Sequence, residues 1–209
     1  MKYFIYYIIS FLTLCCSKEK GNVDTGHEDN LIQQSNVIDS LRDKIRVSSL
    51  RSIEDQIASS GFDQDQVNKL NSLALSFSDS ISLRNKFFDF IRKDDNLADR
   101  ISTQMYFIEL ESSGEVFQAS NIIYFLGKEN RGYRYDFDNG HWVSNRELKF
   151  DFSLDVFFDS LKYKNQCENG GYASIDNLSI TQIIGSEVTT KVITVVCKKE
   201  TPKELLTIL

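Results

Sequence analysis

The sequence predicts an α+β protein, with helices first and then a mainly antiparallel β-sheet that has one short helix interposed. Three observations carry this. Across residues 31–101 apolar side chains recur at three- and four-residue steps, the period of one helix face. From about Ser102 the period drops to two, the period of a strand. Tight turn signals such as Asn139-Gly140 then separate the later segments, and turns that short can join only antiparallel neighbours. Helices followed by strands define the α+β class.

Residues 31–59 read as helix. Ile38, Leu41 and Ile45 keep helical spacing, and so do Leu50, Ile53 and Ile57. The step from Ile45 to Leu50 is five, so the stripe shifts phase near Val47–Ser49. Either two helices meet there or one helix turns its wet face. Gly61 is a plausible stop. Asp63 or Asp65 can cap a second helix that runs to about Phe77, with Val67, Leu70, Ala74 and Phe77 on one face. Asp79 or Ser80 can cap a third, with Ile81, Phe87, Phe88 and Ile91 as its apolar side and Lys93-Asp94-Asp95-Asn96 as its end.

Residues 103–111 then form a strand, and Glu111-Ser112-Ser113-Gly114 a turn. Residues 116–126 form a second strand, whose apolar end from Ile122 to Leu126 predicts burial on both faces. Residues 127–132 are a charged loop. Tyr133, Tyr135 and Phe137 alternate with Arg134 and Asp136, and the chain returns after Asn139-Gly140 through His141, Trp142 and Val143. Leu148, Phe150 and Phe152 alternate again. Ser153 caps the interposed helix, 153–163, with Leu154, Phe157, Phe158 and Leu161 on one face. Residues 178–184 and 188–198 form a last hairpin around Gly185-Ser186-Glu187. Its β-branched second arm predicts packing on both sides. Residues 203–209 form a last helical turn or dangle.

Composition narrows the function. With 24 Lys plus Arg against 30 Asp plus Glu, net charge is −6, and no basic block is present. That lacks the electrostatic footprint of nucleic-acid binding and of attraction to anionic lipid. Residues 3–14 form an apolar run of twelve behind Lys2, too short to span a bilayer as a helix, which takes about 20 residues. A short apolar run that ends in Cys15-Cys16-Ser17 and a polar stretch suits the core of an export signal.

These residues resemble the signal peptide of bacterial lipoproteins. The resemblance covers about the first 17 residues. It implies a signal over 1–15, acylation at Cys16 with Cys15 as the alternative, and a flexible tether over 16–30. Lys18-Glu19-Lys20 partly resembles the signals that send some lipoproteins to the cell surface. The expected location is therefore the bacterial envelope, lipid-anchored at the outer membrane, facing the periplasm or the surface. The folded part, 31–209, is expected to be one domain, helical over 31–101 and sheet over 102–209.

Two further cysteines, Cys167 and Cys197, lie in the folded part. In an exported protein two such residues most simply pair. The alternative is two buried thiols.

The sequence carries no Gly-Xaa-Ser-Xaa-Gly elbow, Walker A loop, dinucleotide fingerprint or His-Glu-Xaa-Xaa-His. His27 lies in the tether, and His141 has no motif around it. Asp136-Phe137-Asp138-Asn139-Gly140 has some calcium-loop spacing, but His141 stands where that loop needs Gly. A hairpin accounts for the same residues, so no metal or other cofactor is expected. Asp155 and Asp159 share a helix face, and Asp151 precedes them at the same spacing. Paired carboxylates of a glycan hydrolase could look alike.

Tyr124, Tyr133, Tyr135, Trp142, Tyr163 and Tyr172 are candidate contact residues, since Tyr and Trp give contact area at low entropic cost. Core packing would use the same residues. The expectation is a non-enzymatic binding module for a protein or glycan partner, with Tyr133, Tyr135, His141 and Trp142 as its contact residues. The alternatives are a cell-wall or glycan hydrolase that uses Asp155, Asp159 or His141, and an accessory subunit that docks through residues 31–59.

Overall fold

The computed structural model describes residues 25–59, 61–79, 82–93, 104–112, 120–127, 131–138, 140–164, 166–167, 171–172 and 176–203. The expected signal over 1–15 with Cys15 and Cys16, the tether up to residue 24, and the tail after 203 lie outside them. The chain divides into Met1–Gln33 and Gln34–Leu209, and the second unit is the folded domain described below.

The architecture is α+β, as the periodicity predicts. Three helices come first: α1 (Thr25–Ser59), α2 (Gln64–Ser78) and α3 (Leu83–Arg92). Six strands follow: β1 (Gln104–Ser112), β2 (Ser120–Gly127), β3 (Arg131–Asp138), β4 (His141–Lys149), β5 (Asn177–Ile184) and β6 (Glu187–Ile193). The short helix α4 (Leu154–Ser160) is interposed between β4 and β5. The sheet order is β4-β3-β2-β1-β5-β6, and every neighbouring pair is antiparallel.

Several boundaries differ from expectation, each for a local reason. The helix begins at Thr25, not at residue 31, because an established helix extends through polar residues once nucleated. It also runs unbroken past Val47–Ser49. The third helix starts later than expected. Ser82, not Asp79 or Ser80, is the cap, and its hydroxyl accepts from the Asn85 amide. The second is capped as read, by Asp63 in a full capping box with Gln66. The interposed helix stops at Ser160, because the Leu161 amide already bonds the Phe157 and Phe158 carbonyls from an extended conformation. The last strand stops at Ile193, and the chain turns so that Cys197 can pair with Tyr172. At the hairpin tips the turns are two residues long, with Gly140 at φ +83° and Gly185 at φ +61°, a region open chiefly to glycine.

The sheet is covered on both faces. On one side Met105, Phe107 and Ile183 pack with Ile38, Leu41 and Ile45 of α1 and Phe87, Phe88 and Ile91 of α3. Farther along, Val192 packs with Ile53 of α1 and with Leu70 and Phe77 of α2. On the other side Tyr106, Ile108, Leu110, Leu178, Ile180 and Ile193 pack with Leu154, Phe157 and Phe158 of α4. β1 therefore buries both faces, which is why 105–108 reads as an unbroken apolar run.

The five-residue step in α1 has a clear cause. Ser49, Ser52 and Gln56 are buried in the stripe where apolar residues would be expected. There, α1 runs along the outer side of β6. Ser48 accepts from the Thr190 amide at 2.7 Å, and Ser52 from the Val192 amide at 2.8 Å. Gln56 donates to the Val192 carbonyl at 2.6 Å and accepts from the Thr194 hydroxyl at 3.3 Å. Residues 48, 52 and 56 fall four apart, so they line one helix face. They supply partners to an edge strand that would otherwise leave buried backbone groups unpaired.

Candidate functional site

The aromatic hairpin proves to be largely core. Tyr135 is 1% exposed, and its ring centre lies 5.2 Å from that of Phe87. Trp142 stands 4.9 Å from Phe87 and 5.0 Å from Phe137, its cross-strand neighbour. Tyr133 packs partly buried against the same cluster. Alternation puts 133, 135, 137 and 142 on the sheet face that meets α3, so Tyr133, Tyr135 and Trp142 do not form an open contact surface. The expectation of an exposed aromatic array there is corrected. His141 alone of the four is exposed, opposite Asp138 at the turn. Of the other aromatic candidates, Tyr172 is 64% exposed, Tyr163 is half-buried, and the side chain of Tyr124 lies outside the described residues.

The aspartates of α4 take part in a polar cluster. The Tyr106 hydroxyl donates to Asp155. Gln182, directly opposite Tyr106 in the β1–β5 ladder, donates to the Tyr106 oxygen at 2.7 Å and to Asp155 at 3.1 Å. Burial and then the Asp155 carboxylate raise the Tyr106 pKa well above the usual phenol range, so the hydroxyl stays a donor. At the other end of α4 the Lys191 ammonium donates to the carbonyls of Phe158 at 2.7 Å and Leu161 at 3.2 Å. Burial lowers the Lys191 pKa, and the nearby Asp159 carboxylate partly opposes this.

Asp155 and Lys191 thus sit at the helix ends that favour their charges. The cluster fixes α4 onto the sheet. His141 does not join it: β4 lies three strand spacings from β1, roughly 14 Å at about 4.8 Å each.

The predicted pairing of Cys167 with Cys197 is formed, with 30 residues between them in sequence. Around it the Lys198 amide bonds the Gly171 carbonyl, and Tyr163 bonds Ser52 of α1 at 3.0 Å. The segment after α4 therefore reaches α1 at the β6 edge.

A shallow groove of about 360 Å³ lies between α1 and the β5–β6 hairpin. Asp43, Lys44, Val47, Ser48, Arg51, Ser186 and Val188 line it. Sequence reading missed it, because its two walls are 135 residues or more apart in the chain and neither carries a motif. Only the exposed Val47, off the buried stripe of α1, hints at it.

Comparisons with protein-family models, with curated proteins and with solved structures found no match for this chain.

Proposed function

We propose that this is an exported protein, anchored by lipid in the bacterial envelope at the outer membrane, and that its α+β domain is a non-enzymatic binding module for a protein or glycan partner. The observation that carries this reading is the Cys167–Cys197 bond in a chain whose first 17 residues resemble a lipoprotein signal. Disulfides form and persist in oxidising compartments outside the cytoplasm. A lipid on Cys16 would hold the domain at the membrane, each buried CH₂ adding about 0.8 kcal/mol.

Binding is favoured over hydrolysis because the groups named for hydrolysis are engaged otherwise. Asp155 holds a tyrosine and a glutamine in place, and His141 lies at a distant turn. Docking of α1 as an accessory subunit is supported less well, since Ile38, Leu41, Ile45 and Ile53 all turn inward.

The test is the mass of the mature N-terminal peptide isolated from bacterial membranes. A diacylglyceryl mass on Cys16, lost in Cys16→Ser and kept in Cys15→Ser, is the expected result. An intact Met1 form recovered from the cytosol, with Cys167 and Cys197 reduced, would overturn the reading.

A further inference from the structure

We propose that the groove between α1 and the β5–β6 hairpin binds an extended acidic peptide segment of a partner protein. This deepens the binding-module reading and rests on it. Five of the described arginines form ion pairs: Arg42, Arg46, Arg84, Arg92 and Arg134. Arg51 forms none among the described residues, although Glu54 and Asp55 lie three and four residues on, where helix pairs usually form. It lines the groove instead. In a chain of net charge −6, an exposed arginine left unpaired beside a concavity is a donor set available to an outside anion.

The rest of the groove suits such a ligand. Lys44 is steadied over it by a bond from its ammonium to the Ser186 carbonyl at 3.3 Å, which leaves other N–H groups to donate. The Ser48 oxygen accepts from Thr190, so its own proton is available. Val47, 49% exposed, and Val188 supply an aliphatic floor. The one acidic wall residue, Asp43, has its charge offset by Arg46 at 3.7 Å.

The spacing favours a peptide over a small anion. Lys44 and Arg51 are seven residues apart on one helix, about 10 Å along its axis. Carboxylates at alternate positions of an extended chain share one face and recur about every 7 Å, so two of them can meet both cations through the reach of the long Lys and Arg side chains. A bilayer fits less well. The site is a concavity between two walls, which suits a single chain better than a flat headgroup surface.

The experiment uses the full chain in detergent and a fluorescein-labelled decapeptide of alternating Glu and Val, with the Gln–Val decapeptide as control. Both cations are exposed on a long helix, so Arg51→Gln and Lys44→Gln should fold normally. The wild type should bind the Glu peptide at least about tenfold tighter than the Gln peptide, a difference that shrinks as salt rises. Arg51→Gln with Lys44→Gln should abolish that preference. Arg131→Gln, which alters an exposed arginine of β3 that does not line the groove, should keep it. Equal binding of the two peptides, or an undiminished preference in the double variant, would overturn the proposal. So would cation-dependent binding to phosphatidylglycerol vesicles with none to the peptide, which would assign the groove to lipid. Lipid attachment at Cys16 is read out separately, so failure here leaves the anchor untouched.

Discussion

The two faces of the sheet handle buried polar groups in opposite ways. Under the long helices Arg84 of α3 is closed off, its side chain 3% exposed. It pairs through two nitrogens with Glu109 of β1, and also bonds Ser49 of α1 and Ser179 of β5. The Phe77 ring lies 3.8 Å from the guanidinium carbon. Under the short helix, Tyr106 is buried but Asp155 and Asp159 face water, and Lys191 is half-buried. A closed pair has high stakes, because removing one partner strands a buried charge. A cluster at the rim can exchange its partners for water, so each bond stabilises less, but its protonation follows the medium. One face is an internal fastening, and the other is a seam sensitive to pH.

The largest test of that contrast is Arg84→Met. Leaving Glu109 unpaired should cost about 3–5 kcal/mol, read as a lower urea midpoint at constant slope. Arg84→Met with Glu109→Leu should recover most of the loss, since an apolar pair of similar volume is often neutral. A single variant no worse than the double would mean that the pair is not enclosed.

Next comes the disulfide, which fastens the segment that reaches from the short helix to α1. Cys167→Ala with Cys197→Ala should cost about 3.5 kcal/mol by loop-closure entropy for a 30-residue separation. Hydrogen exchange should accelerate first at Lys198, whose amide bonds Gly171 beside the bridge. Loss confined to that segment, with the midpoint unchanged, would show that the bond is local in its effect.

Between these faces lies the β6 edge. Gln56→Leu removes both the donor to the Val192 carbonyl and the acceptor from Thr194. An unpaired buried carbonyl costs roughly 1–3 kcal/mol. Ser52→Ala should free the Val192 amide to exchange faster. Unchanged protection at Val192 in Ser52→Ala would mean that α1 does not cap the edge.

These polar positions also mark the limit of what sequence reveals. The α+β order, the short amphipathic helix, the Asn139-Gly140 hairpin and the cysteine pair all follow from period, turn chemistry or compartment, which are local properties. Ser49, Ser52 and Gln56 broke the apolar stripe of α1 and so looked like a phase shift. The roles of Ser52 and Gln56 depend on an edge strand about 140 residues away, and that of Ser49 on Arg84 of α3. Arg84 carries no local signal of its burial, since its partners come from α1, β1 and β5. Tyr135 and Trp142 could be read as surface or as core, because alternation fixes which residues share a face but not which face is covered. The groove beside Arg51 is a product of that same long-range packing.

The smallest effect, and the most diagnostic for the rim, is the alkaline pH profile. Tyr106→Phe removes a hydroxyl bonded to an exposed carboxylate, so it should cost only about 1 kcal/mol at neutral pH. Its slope matters more. A free tyrosine ionises near pH 10, but in the fold burial and Asp155 hold the Tyr106 proton to higher pH. Above about pH 10 the unfolded chain therefore sheds a proton that the folded chain keeps, and stability falls as pH rises. Lys191 works in reverse. Burial lowers its folded pKa, so the unfolded chain keeps a proton that the folded chain has lost, and stability rises toward and through a free lysine's value of about 10.4. Relative to wild type, Tyr106→Phe should hold its stability better with rising pH, and Lys191→Met should hold it worse. Asp159→Asn should lower the Lys191 pKa further, since that carboxylate opposes the effect of burial. Urea midpoints measured between about pH 8 and 12 read all three. Parallel curves for Tyr106→Phe, Lys191→Met and wild type would show that neither group holds its proton differently in the fold and in the unfolded chain, and the rim would then not be a seam sensitive to pH.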